Sequence, residues 1–385
     1  MEDYKIFFMK IALISAHSFS QPGGVRRHIL GMFNELKRRK IEAKIIAPRR
    51  KLRERYPKHI ILLGTSFPIS FSGAISDLTF IFTPFVIEKV LLKEKFDILH
   101  FHNFSWPGSW QILNSPLVKK TLNILTFHAN LEGSRFLKNF PWILEELETF
   151  SKKRIDGIIG ISQLNLKYFK SYSGPKVVIP NGIDLDFFNP KIPPIKKYLD
   201  GKINILFVGR IEERKGLIFL LRAYKILTSS FPFLRLIIVG EGPLKKECEE
   251  WVKKNELKNV VFERLVEERR LPTYYNSCHI FCSPAIFGES FGMVLVEAMA
   301  CQKPVVAFNI EGYREVLAGK GEKFLAEPKD FKDLAKKIEI LIKNPNLREE
   351  MGKWGREKAK NYAWPKIVDK ILNFYEVCKK EKSKK

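Results

Sequence analysis

The sequence predicts an α/β protein built from two doubly wound domains. Three observations carry this. Short apolar runs of strand length alternate with helical periodicity along almost the whole chain. The chain has 385 residues, 45% of them hydrophobic, more than one small core accommodates. The stretch KIPPIKKYLDGK (191–202), with adjacent prolines and several lysines, separates two such alternating series. Residues 1–190 are expected to form the first domain and 191–360 the second, with 361–385 a final helix.

In the first domain, residues 10–15 read as a buried strand. The loop HSFSQPGG follows, then a helix over 25–40. Gly23 and Gly24 allow close backbone approach of a ligand at the strand's carboxyl end, or simply a turn. Residues 41–47 form a second strand feeding the basic run PRRKLRERYPKH, either a solvated surface or a contact for membrane headgroups. The apolar region 60–92 is broken by Gly64, Pro68, Ser70, Gly73, Asp77 and Pro84, so no transmembrane span is expected. Residues 96–100 are a strand ending in HFHNFSW. One of His100 and His102 is expected to be structural, and Asn103 to meet an acceptor. Residues 123–127 deliver His128 at a strand end. Residues 137–151 are amphipathic and suit a domain face or a lipid surface. Strands at 156–161 and 176–179 complete the sheet.

In the second domain, residues 204–208 form a strand with Arg210 beyond its end and Lys215 before the next helix. These are two cations suited to a diphosphate, one a forked donor and one a mobile point charge. Strands follow at 234–239, 260–262, 280–284, 305–308 and 324–326, and helices from 329 onward. The densest motif is FGESFGMVLVEAMA (287–300). Phe291, Gly292 and Met293 open a helix whose first N–H groups have no intrahelical partner and favour an anion. Glu289 in the loop and Glu297 in the helix could grip different parts of one ligand, or serve as ordinary capping groups.

The run GESFGxxxxEAMAxxxPVVA resembles the donor-site signature of the retaining glycosyltransferases of family 4. VGR-x4-KG resembles that family's diphosphate clamp, and PNGIDLDFFNP its interdomain passage. SFSQPGGVRRHI resembles the first loop of the phosphatidylinositol mannosyltransferase subgroup, with His17 where that subgroup often carries tyrosine. The resemblance implies the GT-B fold, two Rossmann-like domains facing an interdomain cleft, with the helix over 361–385 crossing back to the first domain. It implies a catalytic set of His128, Glu289, Arg210 and Lys215. Donor binding would fall to Gly24, Arg210, Lys215, Glu289, Phe291, Gly292, Met293 and Glu297. Glu297 would hold the ribose hydroxyls, Glu289 the transferred sugar, and His128 a sugar hydroxyl or the diphosphate. The implied reaction transfers a hexose with retained anomeric configuration and requires no metal or cofactor. GDP-mannose is the favoured donor and a UDP-hexose the alternative. The implied acceptor is a phosphatidylinositol-type lipid headgroup, with another lipid, a polysaccharide or a polyol as alternatives.

Composition sets further bounds. With 67 basic and 42 acidic residues the formal charge is +25, a surface that attracts anions. Peripheral contact with an anionic membrane follows, at the inner face of the cell membrane. A basic nucleic-acid-binding protein is the alternative from another class, but no reading module is recognisable and specific nucleic-acid binding is not expected. The five cysteines show no zinc spacing and read as reduced thiols of a cytoplasmic protein. The start MEDYKIFFMKIALIS is strand-like and lacks the features of a signal peptide.

Overall fold

A computed structural model describes residues 9–20, 23–51, 53–71, 74–104, 107–130, 142–264 and 266–384. The expectations for the first eight residues, for Gln21 and Pro22 of the glycine loop, and for 137–141 of the amphipathic stretch lie outside the described residues. The chain divides into two units, residues 1–182 with 364–385, and residues 183–363.

The first unit holds an eight-stranded sheet. Its strands are β1 (Lys10–Ser15), β2 (Glu42–Arg49), β3 (Ile60–Phe71), β4 (Ala74–Phe80), β5 (Ile98–His102), β6 (Leu122–Phe127), β7 (Gly157–Gly160) and β8 (Lys176–Val178), in the order β4-β3-β2-β1-β5-β6-β7-β8. All pairs are parallel except β3 with β4. Strand alternation divides β1 between two cores. Ile11 and Leu13 join Ile29, Met32 and Leu36 of the helix Gly24–Arg38 and Ile367, Ile371 and Tyr375 of the helix Trp364–Lys382. Ala12 and Ile14 face Ile87, Leu91, Phe101 and Ile112 on the other side. Both faces are covered, so the central strands read as continuous apolar runs.

The hairpin β3–β4 has no counterpart in the sequence reading, which saw only an interrupted apolar region. Pro68 and Gly64 hide it. Pairing of β3 with β2 ends at Thr65, so Pro68 lies beyond the partner that would need its missing N–H and faces only Asp77 of β4. Gly64 takes φ +84° beside a register shift at Ala47/Arg49.

The second unit holds six parallel strands: β9 (Ile203–Val208), β10 (Leu234–Val239), β11 (Val260–Glu263), β12 (Ile280–Ser283), β13 (Val305–Phe308) and β14 (Leu325–Ala326). Their order is β11-β10-β9-β12-β13-β14. Order reverses at β9, flanked by β10 and β12, and ligands bind beyond the carboxyl ends of strands at such a switch point. The five cysteines are all buried and free.

The C-terminal helix is tied to the first sheet by a polar contact inside its core. The Tyr375 hydroxyl lies 2.6 Å from His100 Nδ1, and both residues are fully buried. Tyr375→Phe leaves that nitrogen without its partner and is expected to cost about 1–3 kcal/mol. A lowered melting midpoint checks this; an unchanged midpoint would show that the bond adds nothing.

Candidate functional site

Each unit gathers sequence-predicted residues at the carboxyl ends of its central strands. In the second unit, β9 ends at Val208 and the chain passes through Arg210 to a short 3-10 turn, Glu213–Lys215. Gly216 closes the turn at φ +65°, and a Cβ there would stand 2.0 Å from the Pro284 carbonyl oxygen. Only glycine allows this loop to lie against the one leaving β12. The Ile286 N–H donates to the Arg214 carbonyl at 2.8 Å, which fastens the two loops together.

This seam assembles a chain of alternating charge. Glu289 Oε1 lies 2.6 Å from Lys215 Nζ and 2.7 Å from Arg214 Nη1. Arg214 Nε lies 2.6 Å from Glu212 Oε1, and Arg210 Nε 3.1 Å from Glu212 Oε2. Burial pushes the Glu289 carboxyl up, but Lys215 and Arg214 outweigh it and hold the group below its usual range. The two cations differ in access: the Arg210 side chain is 49% exposed and that of Lys215 13%. Glu212 and Arg214 were not singled out in the sequence. Their signal is the acidic and basic pattern of IEERK between the two noted cations.

The helix Met293–Ala300 begins after Gly292, which is left-handed at φ +85°. The Phe291 side chain is buried and packs edge-on against Tyr362, so its share in any anion site is its backbone. Glu297 is fully buried and accepts a hydrogen bond from the Tyr275 hydroxyl at 2.7 Å. Tyr275 is a further residue that sequence reasoning missed, because it comes from the helix Leu271–Ser277 with no motif around it.

In the first unit, β1, β5 and β6 run side by side with Ser15, His102 and Thr126 in register. Beyond their ends lie His17, Asn103 and His128. Asn103, expected to meet an acceptor, instead uses its side-chain oxygen to accept the His128 backbone N–H at 2.7 Å. His100 is the structural histidine, held by Tyr375 and by Thr126 Oγ1 at 2.6 Å. His28, from the helix Gly24–Arg38, packs 4.7 Å from the His128 ring and 5.1 Å from the Trp364 ring. Burial pushes His28 and His100 down to about 3 and takes His102 and His128 well below the usual range, so these imidazoles are neutral at neutral pH. Ring nitrogens of His28, His102 and His128 lie within 4.8 Å of one another, a set that could approach a metal ion. However, His102 Nδ1 and His128 Nε2 engage each other at 3.2 Å rather than a common centre.

Gly24 opens its helix, and a Cβ there would meet nothing within 4 Å. His17 Nδ1 lies 3.6 Å from Asp77 of β4, which also holds Arg50 and the Ser18 N–H. Burial raises the Asp77 carboxyl, but His17 and Arg50 outweigh it and keep the group low. Arg50 therefore leaves the solvated basic run; Lys51, Arg53, Arg55 and Lys58 remain exposed.

Comparison with known proteins places the two units in one context. The family model described as Glycosyltransferase Family 4 matches residues 22–187, and that described as Glycosyl transferases group 1 matches residues 189–358. The chain is 30% identical to the phosphatidyl-myo-inositol mannosyltransferase of Mycobacterium leprae, over 98% of this chain and 99% of that protein. It is 29% identical to the protein of the same name from Mycolicibacterium smegmatis, over 96% and 94%. Among solved structures, sucrose-phosphate synthase from Thermosynechococcus elongatus superposes with a TM-score of 0.76 at 20% identity, covering 96% of this chain and 98% of that one.

The loop carrying Glu289 rests against Gly312, where a Cβ would stand 2.1 Å from the Glu289 carbonyl oxygen. Gly312 lies in the helix Glu311–Leu317, so alanine would ordinarily be favourable there. Gly312→Ala is expected to destabilise by about 1–3 kcal/mol because the clash is with backbone. Thermal melting decides the sign; a stabilised variant would show that the loop yields freely.

Proposed function

Because the chain belongs to glycosyltransferase family 4, with the GT-B fold, we propose that this nucleotide-sugar-dependent enzyme transfers mannose from GDP-mannose to a phosphatidylinositol-type lipid. The observation that carries the donor half of this reading is the seam between the β9 and β12 loops. There Arg210, Lys215 and Glu289 stand together at the switch point of a parallel sheet. The lipid half is supported by the similarity to phosphatidyl-myo-inositol mannosyltransferases along nearly the whole chain.

In this reading the second unit is the donor-binding domain. Arg210 and Lys215 bind the diphosphate and stabilise the charge that develops as it leaves. The backbone at Phe291, Gly292 and Met293 adds N–H groups at a helix start. Glu297, fixed by Tyr275, accepts the ribose hydroxyls, and Glu289 accepts hydroxyls of the hexose. The first unit is the acceptor-binding domain, with Gly24 leaving room beside its helix start for the ligand. His128 is neutral and already held by His102 and Asn103, so its role is to hydrogen-bond a sugar hydroxyl rather than to remove a proton as a charged couple. Transfer proceeds with retention, the leaving phosphate assisting deprotonation of the acceptor hydroxyl. No protein nucleophile is invoked; Glu289 is a binding group.

Among the described residues no helix is long and apolar enough to cross a membrane. Peripheral docking at the inner face of the cell membrane is the proposed arrangement. Phe82 and Phe85 are 72% and 69% exposed, and Phe67, Phe80 and Phe82 make a run of ring contacts at about 6 Å. With the exposed Lys51, Arg53, Arg55 and Lys58, this region of the first unit offers both apolar anchors and charge for an anionic surface.

A matrix of GDP- and UDP-sugars against phosphatidylinositol, lipid extracts and soluble polyols, read by product mass spectrometry, tests the assignment. A mannosylated lipid with an α linkage by proton NMR is the expected product. Transfer only from UDP-sugars or only to soluble acceptors would replace donor or acceptor, and a β product would remove the retaining mechanism. Arg210→Ala should stay folded, since the side chain is half in solvent. It should lose roughly 1.5–3 kcal/mol of nucleoside-diphosphate affinity through the missing charged contact. Normal affinity by calorimetry would take Arg210 out of the clamp.

A further inference from the structure

Glu289 has two cationic partners, and the proposed reaction needs one of them elsewhere. Lys215 is a flexible point charge recruited to the diphosphate. Arg214 is fastened to the loop that carries Glu289. Its carbonyl accepts the Ile286 N–H at 2.8 Å, its Nη1 lies 3.4 Å from the Gly288 carbonyl oxygen, and the same Nη1 donates to Glu289 at 2.7 Å. Its Nε lies 2.6 Å from Glu212, which is buried and reaches on to Arg210. A planar guanidinium spanning two carboxylates has one orientation available to it, whereas an ammonium can change partners at little cost.

We infer that Arg214 is a positioning residue for transfer: it keeps Glu289 aimed at the hexose while Lys215 turns to the diphosphate, and Glu212 holds Arg214 in that place. The inference rests on the reading in which Glu289 meets the sugar and Lys215 the diphosphate. Arg214 itself touches neither. Glu212 has a second consequence, since it ties the exposed Arg210 to the same framework, so both ends of the donor site share one buried carboxylate.

Among the described residues, the charged and titratable groups facing Glu289 include Lys215, Arg214 and the Tyr313 phenol. Tyr313 is pushed well above its usual range by burial and then by Glu289 itself, so it stays neutral through the working range. Burial alone would raise Glu289, and the two cations reverse this. Removing Arg214 takes away one of the two, and recruitment of Lys215 weakens the other. The carboxyl then protonates at a higher pH, and activity that needs it ionised is lost earlier as pH falls.

The test uses the full chain with Arg214→Gln, Arg214→Lys, Glu212→Gln and Glu289→Gln. GDP and UDP are titrated by calorimetry. Transfer is followed over pH from whichever of GDP-mannose and UDP-glucose the wild-type chain uses. Arg214→Gln is expected to keep the affinity for the bare nucleoside diphosphate, to lower kcat about tenfold or more, and to move the acid limb of kcat upward by about one pH unit. Arg214→Lys keeps the charge and should restore the position of the limb while recovering only part of kcat. Glu212→Gln should lower kcat in the same direction by less. An unmoved acid limb in Arg214→Gln overturns the inference; if that variant does not fold, a full kcat in Arg214→Lys together with an unchanged kcat in Glu212→Gln overturns it. So does nucleotide affinity that falls as far as kcat, which would make Arg214 a phosphate ligand. Full transfer by Glu289→Gln overturns the assignment of Glu289 and the inference with it. A crippled Glu289→Gln beside a normal Arg214→Gln overturns the inference alone.

Discussion

A carboxylate removed from water must be given charge in return, and the second unit is arranged around that requirement at Glu289. Its side chain is only 11% exposed, and its partners come from a different loop. For those partners to reach it, the loop after β9 must press against the loop after β12. That approach is possible because Gly216 has no Cβ to strike Pro284, and because Gly312 leaves the Glu289 carbonyl its space. Two backbone constraints and two ion pairs thus maintain one side chain. Their shared location is the switch point of the sheet, where a parallel α/β architecture presents strand ends to a ligand.

The first unit solves a different problem. Four of its histidines, at 28, 100, 102 and 128, are buried close together. Mutual repulsion and desolvation make protonation unfavourable, so the cluster works as a set of neutral polar rings. His100 is spent on Thr126 and Tyr375, and this joins the C-terminal helix to the sheet. His102 is spent on His128, and the Asn103 side chain holds the His128 backbone. A residue held at its ring by His102 and at its backbone by Asn103 can offer a directed hydrogen bond with little further ordering cost, which suits recognition of a hydroxyl better than proton transfer.

Much of this was legible in the sequence, for a physical reason. Strands buried on both faces write continuous apolar runs, and those at 10–15, 204–208 and 234–239 were read almost to the residue. Arg210, Lys215 and Glu289, which the structure brings together, stood out because their motifs fall in short loops next to such strands. The hairpin at 60–80 was not, since Gly64 and Pro68 look like breakers until one knows that β3 outruns β2 at Thr65. The bond that Asn103 makes to His128 was not legible, because position beyond a strand end does not say what a side chain bonds. Its left-handed backbone, at φ +62°, turns it toward His128. Tyr275, Glu212 and Arg214 became visible only through tertiary contact, because a supporting residue has no spacing of its own to announce it.

A basic composition is also not the same thing as a basic surface. The formal charge is +25, yet several of the cations serve the interior. Arg356 donates to the carbonyl groups of Phe188 and Ala300, and Arg348 to those of Leu341 and Ile342. Arg235 is paired with Asp200, and Arg50 with the buried Asp77. These groups satisfy backbone carbonyls and carboxylates of the chain itself. The exposed part of the 51–58 run and the aromatic rings at 67, 82 and 85 are among the groups that the first unit leaves to solvent. Charge of that kind draws a protein to an anionic bilayer over roughly a Debye length, and salt weakens it. Rings act only on contact and are indifferent to salt. Attachment that relied on charge alone would disappear as ionic strength rises, whereas attachment that also inserts Phe82 and Phe85 would leave a salt-resistant remainder. The two contributions are therefore separable in one titration, and the exposed rings make the second of them the physically distinctive feature of this surface.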